Sequence, residues 1–126
     1  MLQIAIAGAS GRMGRMLAAA VLADPTARLC GALDIAGSPA LGQDPAQALG
    51  LRSEVLITQD LRAALGDADV LIDFTRPEGT LVHLAVCAEL GVNAVIGTTG
   101  FTPRQKAQVA AFATRIAVVK IGRAHV

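Results

Sequence analysis

The 126-residue chain has few aromatic residues, no long apolar segment and no cluster of charge of one sign. It contains three Phe but no Trp or Tyr, so it lacks the aromatic platform on which many proteins stack single-stranded nucleic acid. The formal net charge is only +1, and no basic patch is present to bind a phosphate backbone. The longest strictly apolar run, residues 16–23, is far shorter than the ~20 residues that cross a bilayer. We expect neither nucleic acid nor a membrane as a partner.

Cysteine and targeting signals are also sparse. Cys30 and Cys87 lie far apart in apolar stretches and form neither a metal-ligand spacing nor a disulfide framework. Residues 1–4 lack the basic region of a secretory signal, and the chain soon becomes Gly-rich. We therefore expect two core thiols, no bound metal and a cytoplasmic location.

Hydrophobic residues make up 53% of the chain and charged residues 17%, a composition that excludes an intrinsically disordered protein. Short apolar runs alternate with segments of helical periodicity, which predicts βαβ units and a mostly parallel sheet covered by helices on both faces. The predicted strands are residues 2–7, 28–33, 55–58, 70–74, 93–96 and 116–119. The predicted helices are residues 12–23, 60–65, 77–90 and 102–114, with a short turn of helix at 46–49.

A Gly-rich turn, residues 8–14, follows the first predicted strand and opens the first helix, which is the context that a phosphate-binding turn requires. Gly8 would allow a tight turn, and Gly11 would let backbone N–H groups approach a pyrophosphate. Gly14 would let the helix pack closely on the strand, and the helix N-terminus would add free donors and a positive dipole. Because the spacing is GxxGxxG rather than GxGxxG, a turn that serves packing alone is the alternative.

A second signal is Asp34, which follows the second predicted strand, twenty positions after Gly14. A carboxylate at this place can accept hydrogen bonds from both hydroxyls of an adenosine ribose. A solvated loop aspartate is the alternative. The combination of Asp34 with the Gly-rich turn favours a dinucleotide site.

Two further loops carry glycine or hydroxyl groups at strand ends, residues 73–77 and 97–101. The hydroxyls of Thr98 and Thr99 can donate and accept, which suits a carboxamide or a substrate carbonyl. In a parallel sheet these loops and the Gly-rich turn meet at the carboxyl edge, where open α/β sheets bind ligands. We therefore predict a doubly wound, Rossmann-like α/β fold with a nucleotide site at this edge.

Other polar residues are weaker candidates. His83 lies within a helix among apolar residues, and a structural histidine is the favoured interpretation. Arg76 is equally compatible with a surface position and with a contact to a cofactor. The acidic residues Glu54, Glu78 and Glu89 are scattered and form no acid/base pair. The sequence thus predicts no catalytic residue and no metal ligand.

The turn at residues 8–14, the segment DFTRPEGT at 73–80 and the loop GTTGF at 97–101 together resemble the 4-hydroxy-tetrahydrodipicolinate reductase family. The resemblance spans about residues 2–120. It implies reduction of a cyclic imine-type substrate with NADH or NADPH in lysine and diaminopimelate synthesis. It further implies a first half that is a Rossmann domain, and a second half that binds substrate, supplies the proton donor and builds a homotetramer.

The resemblance also implies roles for individual residues. The pyrophosphate would lie on the first turn, with the Arg12 side chain near the 2′-phosphate of NADPH, and Asp34 would hold the ribose. The family often has an arginine directly after this acid, whereas this chain has Ile35, so we expect NADH to bind at least as well as NADPH. The expected cofactor-binding residues are Gly8, Ala9, Ser10, Gly11, Arg12, Met13, Asp34, Phe74, Thr75, Arg76, Gly97, Thr98 and Thr99.

The end of the chain departs from the family pattern, which continues with an Asn-rich loop and a His-His…Lys…Ser-Gly-Thr segment. Residues 121–126 are instead what the common sequencing-adapter start ATCGGAAGAGCACACGTC encodes in frame. We expect a dinucleotide-binding domain at 1–120, a non-native tail at 121–126, weak NAD(H) binding and no turnover. Source DNA that continues through codon 121 with the same sequence would contradict the tail.

Two alternatives stay open, one within enzymes and one from another class. One is another Rossmann dehydrogenase, similar to aspartate or homoserine dehydrogenase, against which the loops at 74–77 and 97–100 argue. The other is a stand-alone NAD(P)-binding module that senses redox state or partners a separate catalytic chain.

Overall fold

The computed structural model describes residues 1–121 and contains one six-stranded, all-parallel sheet of order β3-β2-β1-β4-β5-β6. The strands are β1 Leu2–Ala7, β2 Ala27–Leu33, β3 Ile57–Thr58, β4 Val70–Asp73, β5 Asn93–Ile96 and β6 Val118–Lys120. The helices are α1 Arg12–Ala23, α2 Leu61–Leu65, α3 Pro77–Leu90 and α4 Pro103–Phe112, with a 3₁₀ turn at Gln47–Leu49. The predicted doubly wound α/β class is confirmed.

The helix ends follow from local sequence. The Asp60 side chain accepts a hydrogen bond from the N–H of Ala63 and caps α2. Thr102 and Gln105 form the predicted capping box of α4, in which each side chain bonds the backbone N–H of the other residue. The stop signal Gly91 adopts φ 75° after α3, a conformation that favours glycine.

The two faces of the sheet are covered by different helices. Alternate residues of β1 point to opposite faces, so Ile4 and Ile6 pack with Ala18 and Val21 of α1. Ala5 and Ala7 lie in the larger core with residues of the other three helices, which include Leu65, Leu84 and Val109. Helix α1 thus lies on one face and α2, α3 and α4 on the other.

Several predicted boundaries were wrong by a few residues. Strand β3 is only two residues long because it pairs only with Ala32 and Leu33, and Glu54 turns the chain before it with φ 66°. β2 starts one residue earlier than predicted, β4 ends one earlier, and α4 ends at Phe112. The last strand begins two residues late, because the N–H of Ile116 bonds the Phe112 carbonyl and the N–H of Ala117 bonds the Asn93 side chain. The predicted tail, apart from residue 121, lies outside the described residues.

The cysteines are free thiols, with Cys87 buried and Cys30 half-buried. Burial, together with the charge of Asp73, raises the pKa of the Cys87 thiol to about 12. Residues 1–121 contain no group of three or more His, Cys, Asp or Glu side chains arranged to hold a metal. No helix in this described part is both long enough and apolar enough to span a bilayer.

Two glycines allow helices to lie directly on strands. A Cβ added to Gly14 of α1 would stand 2.1 Å from the carbonyl oxygen of Gly8. A Cβ added to Gly31 of β2 would stand 2.1 Å from the carbonyl oxygen of Ala64 in α2. The first contact resembles the role predicted for Gly14, but against the turn that follows β1, and no sequence pattern predicts the second. In both cases the obstacle is backbone, which cannot rotate away.

We predict that Gly31→Ala destabilises the chain by about 1–3 kcal/mol, the usual cost of overpacking a core. The matched control is Gly79→Ala in α3, where the added Cβ would meet only side-chain atoms at 3.5 Å or more. This substitution also replaces a residue of poor helix propensity. Urea unfolding followed by circular dichroism measures both. Equal stability of the two variants would contradict the close packing of α2 on β2.

Candidate functional site

The carboxyl ends of the four central strands lie level in the sheet. Ala7 of β1 pairs with Leu33 of β2 and with Asp73 of β4, and Asp73 pairs in turn with Ile96 of β5. The residues that directly follow these four ends therefore form a row along one edge, and they are Asp34, Gly8, Phe74 and Gly97. Of the thirteen residues predicted to bind a cofactor, eleven lie in the loops that this row begins, and Arg12 and Met13 lie in the first turn of α1.

The edge also contains the point where the direction of winding reverses. From β1 the chain proceeds outward through α1 to β2, whereas from β4 it proceeds through α3 to β5 on the other side. The loops after β1 and β4 consequently lead to helices on opposite faces of the sheet, and the space between these two loops is called the crevice below. Such a reversal is where doubly wound sheets bind their ligands.

The first turn is shaped by its backbone. Gly8 adopts φ 73°, and the N–H groups of Gly8 and Ala9 both donate to the carbonyl of Leu33. Gly11 is the N-cap of α1, and no side chain caps this helix. The first N–H groups of a helix have no intrahelical acceptor, so α1 presents donors and its positive dipole end beside exposed Gly11, Arg12 and Met13.

Asp34 is joined to the first turn by a hydrogen bond from the Ser10 hydroxyl. Its carboxylate also accepts bonds from the Ser38 hydroxyl at 3.1 Å and from the N–H of Ile35 at 2.8 Å. The structure thus brings Ser10 and Asp34 together, as the prediction of one shared site requires. Ser38 was missed, because only the course of the loop after β2 returns it to the carboxylate.

The loops after β4 and β5 interlock through a ring and a glycine. The Phe74 ring lies on Gly97 so closely that an added Cβ would stand 2.0 Å from the ring. In the same loop, the methyl group of Thr75 would stand 3.0 Å from a Cβ added to Gly8. Phe74 and Thr75 therefore hold the three loops against one another, and Gly97 is required for this packing.

The two threonines of the β5 loop differ in their surroundings. Thr98 is only 8% exposed, and its hydroxyl lies 2.8 Å from that of Thr80 in α3 and 3.4 Å from the Asp73 carbonyl. Thr99 is exposed. The sequence predicts that both hydroxyls are available to a ligand. The Thr98 hydroxyl, however, already lies within hydrogen-bond distance of Thr80 and of the Asp73 carbonyl.

Asp73 is the buried charge of the site, with 1% exposure. One carboxylate oxygen accepts the N–H and the hydroxyl of Thr75 at 2.9 and 2.6 Å, and the other lies 2.7 Å from Nδ1 of His83. Burial by itself raises the pKa of Asp73, but the hydrogen bond and charge of His83 and the bonds from Thr75 outweigh it and lower the pKa. The prediction of His83 as a structural histidine did not foresee this pair.

The basic side chains near the edge remain at the surface. Arg12 and Arg76 are both exposed, and neither forms an ion pair with any residue in the range 1–121. Arg12 starts α1 and Arg76 is the N-cap of α3, so the backbone of each arginine lies next to the crevice. Either group can reach an anion there without first breaking an ion pair to a described residue.

Comparison with known proteins finds similarity to one family of reductases. The family model described as dihydrodipicolinate reductase, N-terminus, matches residues 2–123. A 4-hydroxy-tetrahydrodipicolinate reductase of Burkholderia ambifaria is 59% identical over 118 residues, and one of Cupriavidus pinatubonensis is 60% identical over the same length. Each alignment covers 94% of this chain but 44% of the relative, so the chain spans less than half the length of these relatives.

Solved structures agree with this fold. A dihydrodipicolinate reductase from Paenisporosarcina sp. TG-14, solved with dipicolinate bound, superposes with a TM-score of 0.70 at 29% identity. The match covers 90% of this chain and 43% of that one. GenD2 of gentamicin A biosynthesis, solved with NAD, gives a TM-score of 0.73 at 24% identity, covering 94% of this chain and 34% of that one. At that identity the second likeness shows the fold alone.

We predict that the Asp73 carboxylate makes stability depend on pH in acid. Because its pKa is lowered in the folded state, its contribution is present above the unfolded value of about 3.8 and is lost as the pH falls through the folded value. The stability difference between the native chain and Asp73→Asn is therefore largest at pH 5 and shrinks towards pH 2.5. Urea unfolding across this range measures it.

The matched control is Asp67→Asn, which removes an exposed carboxylate. Its stability difference from the native chain should stay small at every pH. A difference for Asp73→Asn that is constant with pH would contradict a stabilised Asp73 carboxylate.

Proposed function

The chain belongs to the dihydrodipicolinate reductase family, and on that premise we propose that its described residues bind NADH or NADPH for the reduction of 4-hydroxy-tetrahydrodipicolinate. The observation that carries this proposal is the level row of loops at the point where the winding of the sheet reverses. Family membership sets aside the aspartate and homoserine dehydrogenase-like alternative. The cofactor supplies the hydride, and the protein binds and orients the cofactor.

The proposed placement of the cofactor follows the chemistry of each loop. The pyrophosphate lies at the uncapped start of α1, where N–H donors and the helix dipole favour an anion. The adenosine ribose lies at Asp34, where its hydroxyls take over the hydrogen bonds that Ser10 and Ser38 make to the carboxylate. This exchange replaces each serine hydroxyl by a ribose hydroxyl, so the carboxylate keeps the same number of hydrogen-bond donors.

The nicotinamide half then extends towards the loop after β5, where exposed Thr99 has a hydroxyl to offer its carboxamide. The ring of Phe74, held against Gly97, forms an apolar wall on this side of the crevice and excludes water from it. Arg12 and Arg76 supply positive charge near the phosphates. Each of these assignments is supported by exposure and position at the crevice.

The remaining parts of the activity belong to the proposal for the complete enzyme. The edge holds no exposed acid/base pair among residues 1–121, so we propose that proton transfer and substrate binding use residues outside this range. The chain alone would then bind NAD(H) weakly and turn over no substrate. We also propose, following the resemblance, that the complete enzyme is a cytoplasmic homotetramer.

The ribose contact is tested by Asp34→Ala. We predict that it weakens NADH binding by about tenfold, the loss expected when hydrogen bonds to one charged group are removed. The fluorescence of NADH itself reports binding. The control Asp67→Ala, away from the crevice, should bind as the native chain does. Unchanged affinity of Asp34→Ala would refute the placement of the ribose.

The coenzyme preference is a separate prediction. Ile35 is 76% exposed beside Asp34 and offers no donor to a 2′-phosphate, so NADH should bind at least as tightly as NADPH. The substitution Ile35→Arg should raise the affinity for NADPH several-fold and leave that for NADH within about twofold. Paired titrations of both coenzymes measure this. A clear NADPH advantage in the native chain would contradict the prediction.

A further inference from the structure

Asp73 and His83 belong to a chain of buried polar groups that runs beneath the crevice. Thr80 is fully buried, and its hydroxyl lies between those of Thr75 at 3.4 Å and Thr98 at 2.8 Å. These hydrogen-bonded polar groups therefore connect the helix α3, the loop after β4 and the loop after β5. It meets the sheet at Asp73, whose own carbonyl also accepts the N–H of Gly97 at 2.8 Å.

The directions of these hydrogen bonds all lead to Asp73. A carboxylate only accepts, so the Thr75 hydroxyl donates to Asp73 and can only accept from Thr80. If Thr80 donates to Thr75, then Thr98 donates to Thr80. If Thr80 instead donates to Thr98, then Thr98 donates to the Asp73 carbonyl. Either order fixes the rotamer of Thr98 with respect to the end of β4.

His83 of helix α3 forms a hydrogen bond with the buried Asp73 carboxylate. Side chains of an α-helix lean towards its N-terminus, which brings the His83 ring back to Asp73 although the residue lies in the second turn of α3. The carboxylate acceptor requires a proton on Nδ1. The side chain is 16% exposed, so the ring closes the cluster off from the solvent.

Stability alone is a weak explanation for this cluster. Burying a charge such as the Asp73 carboxylate costs so much desolvation that well-packed apolar residues often stabilise a protein equally well. The cluster lies at the carboxyl edge of the sheet. Its members are confined to the end of β4, the loop after it, the first two turns of α3 and the loop after β5.

We propose that Asp73, His83 and Thr80 are positioning residues that hold Thr75 and Thr98 in the arrangement that receives the nicotinamide half of the cofactor. This proposal rests on the proposed function and deepens it. Thr80 is 0% exposed and touches no ligand, so its effect on binding passes through the two loops. The adenosine half meets the loops after β1 and β2, which the cluster approaches only where the Thr75 methyl group lies near Gly8.

The test compares NADH with ADP-ribose, which lacks the nicotinamide. Titrations of the 15N-labelled 126-residue chain, followed by amide chemical shifts, give both dissociation constants even where binding is weak. We expect Thr80→Val to weaken NADH binding about tenfold and ADP-ribose binding less than twofold. Thr80→Ser, which keeps the hydroxyl, should bind both ligands as the native chain does.

The second pair of variants is His83→Leu and His83→Asn. The leucine removes the donor to Asp73, whereas the Asn side-chain amide can stand near the place of Nδ1 and donate in its stead. We expect His83→Leu to show the same selective loss of NADH affinity and His83→Asn to recover most of it. The amide spectra also report whether each variant is folded, and the threonine pair carries the test if His83→Leu does not fold.

The outcomes separate this proposal from the proposed function. A selective loss of NADH affinity, recovered in Thr80→Ser, supports the positioning role. Equal losses for NADH and ADP-ribose, or no loss in either, overturn it while cofactor binding itself still stands. A native chain that binds neither ligand would overturn the proposed function as well.

Discussion

The level ending of the central strands is the constraint on which the site depends. The pairings of Ala7 with Leu33 and Asp73, and of Asp73 with Ile96, place four loop starts side by side. A slip of β4 by one residue would turn Asp73 to the other face of the sheet and separate it from His83 and Thr75. Register in the buried strands therefore decides both which side chains pack in the core and which groups meet at the crevice.

Close approach of backbone to backbone is the second requirement, and it accounts for the unusual composition. Helix α1 lies on the first turn because Gly14 has no side chain, and helix α2 lies on β2 because Gly31 has none. With only three Phe and no Trp or Tyr, the core is filled by small aliphatic residues that let parallel strands and helices pack closely. The few aromatic residues, which excluded a stacking platform for nucleic acid, thus fit a site that is built from turns.

Local patterns were enough to predict much of the fold. Glycine spacing, the capping box of α4 and the apolar runs gave the order of the elements and the edge where the loops meet, because each depends on neighbours in sequence. Strand ends at the sheet periphery were less accurate. The two-residue β3 is set by how far it pairs with β2, a contact between segments distant in sequence.

Contacts that the site owes to tertiary structure could not be predicted. Nothing in the spacing of Asp73, Thr80 and Thr98 indicates that their polar groups meet, since α3 must first pack across the ends of β4 and β5. The Ser38 bond to Asp34 and the close contact of Ala64 with Gly31 likewise depend on how the elements pack. A buried Asp at the end of a strand, with a His ten residues later in the following helix, is the one signal that would have indicated the Asp73–His83 pair.

We propose the row of loops at the β1–β4 junction as a nicotinamide-dinucleotide site. The amide chemical shifts of the 15N-labelled chain on addition of NADH show where the cofactor binds. We predict that the shifts concentrate at residues 8–14, 34–38, 74–76 and 97–99 and leave the opposite edge of the sheet unchanged. Shifts that cluster at the amino ends of the strands, or no shifts at millimolar NADH, would contradict it.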